Sequence, residues 1–215
     1  LTINRNDKHQ YWLNDGSRVP GATGLLGHID GDGFGAGIGW ASKIIGENSG
    51  DTTAPYRVRD QAKVSGTVLH QDIEDYITEG AVAEDNPAFV SWMNELGGLH
   101  EWIAVEQFVF NKTLRYGGTA DAFSLSPDGA GDVVIWDWKS KNATHRGSSP
   151  RDHAQLAAYS MALREMGSVY APERGYIAYI KRDGSGVDVV PVDLERGARL
   201  FEASLDLFHL VKGAR

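Results

Sequence analysis

Residues 132–141 read Asp132-Val133-Val134-Ile135-Trp136-Asp137-Trp138-Lys139-Ser140-Lys141. Side chains alternate across a strand, so Val133, Ile135, Asp137 and Lys139 share one face and Val134, Trp136 and Trp138 the other. Both faces are apolar along most of the length, which marks a central strand covered on both sides. It ends by setting a carboxylate and an amine side by side. Buried charges are costly unless paired or bound to metal. On this strand alone, a structural Asp137–Lys139 pair is the simpler reading.

The same period of two runs through Trp102–Asn111 and Arg115–Ser126 before it. Together they predict three consecutive strands, the last two joined by a turn at Ser126-Pro127-Asp128-Gly129. Arg174–Lys181 and Gly186–Val192 predict a further hairpin around Asp183-Gly184-Ser185-Gly186. Helical spacing predicts a long helix over Arg57–Thr78, with Val64, Val68 (or Leu69), Ile73 and Ile77 as its apolar stripe. Further helices are expected over Pro87–Leu96, Pro150–Met166 and Leu194–Val211, Pro150 suiting a first turn. Near the N-terminus, Tyr11–Pro20 reads as a hairpin turned at Asn14-Asp15-Gly16. Residues 27–39 are glycine-rich and read as a loop, with a helix around Trp40. This loop lacks the ending of a phosphate-binding loop. Asp30 and Asp32 open like a calcium loop, but Ala41 stands where its closing Glu belongs. The order of elements gives an α/β (α+β) fold with a central mixed sheet flanked by helices.

A chain of 215 residues, 41% hydrophobic, is expected to form one domain, 1–215. Residues 1–55 carry the hairpin and glycine-rich region and 56–215 the core. No apolar run reaches the ~18 residues that suggest a membrane span. The polar start, Leu1–Gln10, lacks a signal peptide's apolar stretch; a first residue other than Met reads as a chain that has lost its beginning. The absence of cysteine excludes disulfides, thiolate zinc sites and iron–sulfur clusters, and fits a cytoplasmic protein. A net charge of −8 counts against a protein that coats nucleic acid. Locally, Lys139, Lys141, Arg146 and Arg151 form a basic run without an acid.

Asp121, in Gly117-Gly118-Thr119-Ala120-Asp121, lies on the strand preceding Asp137. Antiparallel pairing brings the two carboxylates close to each other and to Lys139. Carboxylate oxygens suit Mg2+, which keeps positions for water and substrate phosphate. A lysine beside it helps activate the water or neutralises the phosphate.

Gly118-x-x-Asp121, Asp137-x-Lys139 and Gln155-x-x-x-Tyr159, with Gly66-x-x-x-His70 upstream, stand in one order along the chain. In this the chain resembles the PD-(D/E)xK nucleases of the RecB-like and phage-type exonuclease branch. Each motif alone is weak; the ordered set is specific. The resemblance implies a restriction-endonuclease-like core. It implies Asp121 as central metal ligand, Asp137 as second carboxylate with the Trp138 carbonyl alongside, and His70 as imidazole ligand. Lys139 would activate or position the attacking water, and Gln155 and Tyr159 would contact the DNA strand or hold Lys139. Gly66, Thr67, Lys141, Arg146 and Arg151 would meet DNA phosphates. Glu74 and Glu106 are further candidates for the site.

The expected activity is hydrolysis of DNA phosphodiesters with Mg2+, Mn2+ substituting, by an exonuclease of phage-type recombination or repair. A single-strand annealing protein is an implied partner, and some relatives form ring-shaped homo-oligomers. In a phage-encoded case the location would be the host cytoplasm. The alternatives are a structure-selective endonuclease, a catalytically silent DNA-binding module, and a non-nuclease metal hydrolase with another phosphate ester as substrate.

Overall fold

The computed structural model describes residues 2–28, 33–126, 131–143, 147–168 and 171–212. A three-stranded antiparallel sheet is built from β1 (Ile3–Arg5), β2 (Tyr11–Leu13) and β3 (Arg18–Val19). The expected turn at Asn14-Asp15-Gly16 is present. Gly16 takes φ 82° there, and Asp15 Oδ1 accepts from the Ser17 amide at 2.8 Å. β1 has no forerunner in the sequence pattern, since Ile3–Arg5 is too short to show a period.

Four helices follow: α1 (Ala22–Leu25), α2 (Gly33–Glu47), α3 (Ala54–Glu79) and α4 (Pro87–Trp92). α2 corrects the reading of residues 27–39 as a loop, because its helix begins at Gly33; residues 29–32 lie outside the described set. Each glycine costs about 1 kcal/mol in a helix; α2 forms nonetheless and lies against α3. α3 corrects the expected stripe. Leu69 and Ile73 are buried, whereas Val64 and Val68 are 63% and 48% exposed.

The main sheet orders β4 (Trp102–Asn111), β5 (Tyr116–Leu125), β6 (Val133–Lys141), β7 (Arg174–Lys181) and β8 (Val187–Pro191) side by side. β6 and β7 are parallel and the other pairs antiparallel. The sheet is therefore mixed and flanked by helices, as expected. Between β6 and β7 runs α5 (Pro150–Glu165), capped by Ser149 Oγ, which accepts from the Arg151 amide at 3.2 Å. The chain's last described helix is α6 (Leu194–Lys212). Of the expected turn at Ser126–Gly129, residues 127–129 lie outside the described set.

β6 divides two cores as its alternation predicts. Ile135 joins Leu156, Ala158, Leu163 and Phe201 on the α5–α6 side. Val134, Trp136 and Trp138 join Leu69, Ile73, Phe89 and Trp92 on the α3–α4 side. Here rings interlock, with Trp92 and Trp138 centroids 5.8 Å apart edge to face. A third, smaller core sets Ile3, Tyr11, Leu13 and Val19 against Phe108 and Phe110 of β4.

Candidate active site

The site forms where β5 loses its phase. Gly118 and Ala120 face α5, but Ala122 and Ser124 face the α3–α4 core, so alternation slips at Asp121. On β4 the matching residue is Glu106, flanked by the pairs Val105↔Ala122 and Gln107↔Ala120. Glu106 takes φ 48°, a left-handed conformation that is rare for such a side chain. Backbone strain of this kind collects at functional sites. The paired irregularity gathers the ligand atoms of Glu106, Asp121 and His70 of α3 within 4.8 Å of one another.

His70 Nε2 lies 3.1 Å from the Trp138 carbonyl oxygen, which can only accept, so the ring proton sits on Nε2. Nδ1 then presents a lone pair 3.8 Å from Asp121 Oδ2. Asp121 Oδ2 also accepts from the Trp138 amide at 2.7 Å. Two carboxyl groups and an imidazole lone pair face one another here. Burial, then the Asp121 charge, pushes the Glu106 carboxyl up to about 7, against the opposing pull of His70. These oxygen and nitrogen donors fit a divalent cation of the Mg2+ or Mn2+ kind.

Beside this cluster lies the pair read from β6. Asp137 is fully buried, and its Oδ2 is in ion contact with Lys139 Nζ at 2.6 Å. Gln155 of α5 bridges the two. Its Nε2 donates to Asp137 Oδ1 at 2.9 Å, and its Oε1 accepts from Lys139 Nζ at 3.3 Å. The same Nε2 lies 3.1 Å from the Tyr159 hydroxyl, which accepts. Burial raises the Asp137 carboxyl to about 7, with Asp121 adding to burial against the pull of Lys139. Burial pulls the Lys139 ammonium down, yet Asp137, Asp121 and Asp152 outweigh it and the net shift is upward. Asp137 stands next to the three-ligand cluster with both oxygens engaged, and the Trp138 carbonyl is turned to His70.

Tyr159 is seated by a glycine. A Cβ on Gly118 would come within 2.3 Å of the Tyr159 ring. Gly118→Ala is expected to force that ring away, loosening Gln155 from Asp137 and Lys139. Overpacking of this kind costs about 1–3 kcal/mol, so thermal unfolding should show a lower Tm together with reduced turnover.

A cleft of about 870 Å3 opens over these groups. Gly66, Thr67, His70, Lys139, Gln155 and Tyr159 line it, as do Glu74 and Glu106. Lys141 and Arg151 do not. Lys141 Nζ lies over the Tyr179 ring at 5.6 Å, and an Arg151 guanidinium nitrogen donates to the Thr23 carbonyl at 3.3 Å. Arg146 lies outside the described residues. A methyl at Gly66 would meet only Ser140 Cβ, at 3.9 Å, so no backbone approaches it closely. The cleft's other cations, Lys8 and Lys63, and its second histidine, His9, are not foreshadowed in the sequence. They carry no motif and reach the cleft only through tertiary placement.

Stability follows from the carboxyl shift. Glu106 binds its proton more tightly folded than unfolded, so its contribution is full below the unfolded pKa, about 4.5, and is lost as pH rises through about 7. Without metal, Tm is expected to fall across that window. Ligands must be deprotonated to bind, so metal stabilisation should grow over the same range. A cation at ~100 times its Kd adds about 2.7 kcal/mol, or roughly 5–10 °C in a chain of this size. Melting curves at pH 5 and 8, with EDTA or with Mg2+ or Mn2+, check both trends.

A profile of the PD-(D/E)XK nuclease superfamily matches residues 82–206, more than half of the chain. The match contains Glu106, Asp121, Asp137, Lys139, Gln155 and Tyr159; His70 and the three-stranded sheet fall outside it. No curated protein matches the chain. Among solved structures, the crystal structure of SSO0001 is similar with a TM-score of 0.38 and 14% identity, over 86% of this chain and 74% of that one. Among the described residues, no helix is long and apolar enough to cross a membrane.

Proposed function

This chain belongs to the PD-(D/E)XK nuclease superfamily, whose members hydrolyse phosphodiesters with divalent metal ions, and from that premise we propose that it is a Mg2+-dependent DNA exonuclease. The observation that carries the proposal is the cluster of Glu106, Asp121 and His70 within 4.8 Å, beside the Asp137–Lys139 pair. Asp121, Glu106 and His70 would hold the ion, with Asp137 next to them. A bound divalent cation supplies there the charge that makes water acidic and steadies a phosphorane.

The chain's own groups do the rest. Lys139, held by Asp137 and Gln155, keeps a positive charge at the floor of the cleft, where it orients water and offsets phosphate charge. Tyr159 and Gln155 keep that ammonium in place. Gly66 and Thr67 of α3 give a phosphate room on the other wall.

The exonuclease branch is supported by His70 together with Gln155 and Tyr159, which complete the ordered motif set. A role in phage-type recombination or repair, in the cytoplasm beside a single-strand annealing protein and as a homo-oligomer, belongs to the same reading. Incubation of linear, nicked circular and covalently closed circular DNA with Mg2+ tests it. Loss of the linear form alone is expected. Opening of closed circles would make the enzyme an endonuclease, and binding without degradation would leave a silent DNA-binding module.

A further inference from the structure

The connection between β1 and β2, outside the profile match, brings Asp7, Lys8 and His9 into the cleft lining. Asn6 builds this turn. Its Oδ1 accepts from the Lys8 and Gln10 amides, both at 3.0 Å, and its Nδ2 donates to Gln10 Oε1 at 3.0 Å. The His9 amide donates to the Asn6 carbonyl at 3.0 Å, and His9 is held at φ 52°. The turn stands on a latched base. The Tyr11 ring presses on Gly117, where a Cβ would come within 2.6 Å of it, and the Gly117 amide donates to the Pro20 carbonyl at 3.1 Å. An Arg5 guanidinium nitrogen donates to Thr119 Oγ1 at 2.9 Å.

Lys8 and His9 line the same cleft as Asp121 and Lys139. Burial and the Arg5 charge lower the His9 pKa while Asp121 pulls it up, and the net is downward. Its place in the cleft lets the imidazole meet a phosphate oxygen through a hydrogen bond. Asp7, on the same turn and also in the cleft, offsets the Lys8 charge, so the turn works by short contacts rather than long-range attraction. The cleft floor carries two carboxylates, Glu106 and Asp121, while Asp137 is buried behind it. A phosphodiester held over a cation on that floor would have its outer oxygens within reach of this turn.

We propose that the Asn6–Gln10 turn is the second wall of the catalytic cleft, and that His9 and Lys8 hold the phosphodiester backbone of the substrate over the carboxylate cluster. The inference rests on the nuclease reading above. The left-handed backbone at His9 makes the test clean. Alanine there would mix strain with loss of the side chain, whereas glycine adopts φ 52° freely. His9→Gly and Lys8→Ala are compared with the wild type in kcat and KM on a duplex oligonucleotide with Mg2+. Affinity for the same oligonucleotide is measured across a salt series, and Tm is recorded. His9→Gly is expected to lower kcat/KM by roughly 10–100-fold, the loss of a hydrogen bond made to the reacting phosphate, with Tm unchanged. Lys8→Ala is expected to weaken binding and to reduce the salt slope by about 1. A wild type that degrades DNA, with both variants matching it in kcat/KM and affinity, overturns this inference alone. A wild type that binds without degrading still tests it through affinity. A wild type that neither binds nor degrades DNA overturns the nuclease reading and this inference together.

Discussion

Replacing Lys139 by alanine is expected to lower metal-dependent turnover on DNA by about 10^3-fold or more, with substrate still bound. Positioned proton transfer contributes roughly 10^2–10^4-fold, and a preorganised charge aimed at the transition state about 10^2–10^3. Lys139 is placed for both, at 2.6 Å from Asp137 Oδ2 and 3.3 Å from Gln155 Oε1, with 22% of its side chain open to the cleft. The fold should survive, but conditionally. Removing the ammonium leaves Asp137 buried without its counter-charge, a loss of about 3–5 kcal/mol if the carboxylate stays ionised. Burial already pushes its carboxyl well above the usual carboxylate range, even with Lys139 beside it. The variant should therefore take up a proton, and be more stable at pH 6 than at pH 8. Single-turnover rates and a pH series of melts measure the two effects. Turnover close to the wild type would remove Lys139 from the reaction.

The second large effect is expected from Asp121→Asn, which keeps shape but removes charge. The oxygen of the introduced amide can still accept from the Trp138 amide, as Asp121 does at 2.7 Å. What disappears is the carboxylate facing His70 Nδ1 and Glu106. Turnover should fall by about 10^3-fold or more, since the ion would lose a central ligand. In EDTA the variant should melt at or above the wild-type temperature, because Asp121 raises both Glu106 and Asp137 by like-charge repulsion. Mg2+ or Mn2+ should then no longer shift Tm. A structural role alone predicts the reverse: a variant less stable without metal and still shifted by it.

Much of the frame was legible because the forces that set it are local. Trp102–Asn111 and Arg174–Lys181 are rich in aromatic and β-branched residues, which favour strands; the strands span those residues. β6 could be read as buried on both faces because apolar residues fill both of its registers. Asp121, Asp137, Lys139 and Gln155 meet because their strands and helix pair as the spacing implies. The rest depends on features that no period reports. Glu106 reaches the cluster only through a left-handed residue inside a strand, matched by the slip at Asp121. Lys8 and His9 reach the cleft because the ring of Tyr11 settles on Gly117, far along the chain. Val64 and Val68 fit a helix stripe, yet that half of α3 runs along the cleft instead of over the sheet.

The most direct test is release of nucleotides from linear duplex and single-stranded DNA labelled at either end, with Mg2+ or EDTA, for the wild type and Asp121→Asn. The predicted result is release that requires the metal, is absent in the variant, and assigns polarity from the labelled end. Degradation that persists in EDTA, or in the variant, would contradict a reaction built on the Asp121 cluster.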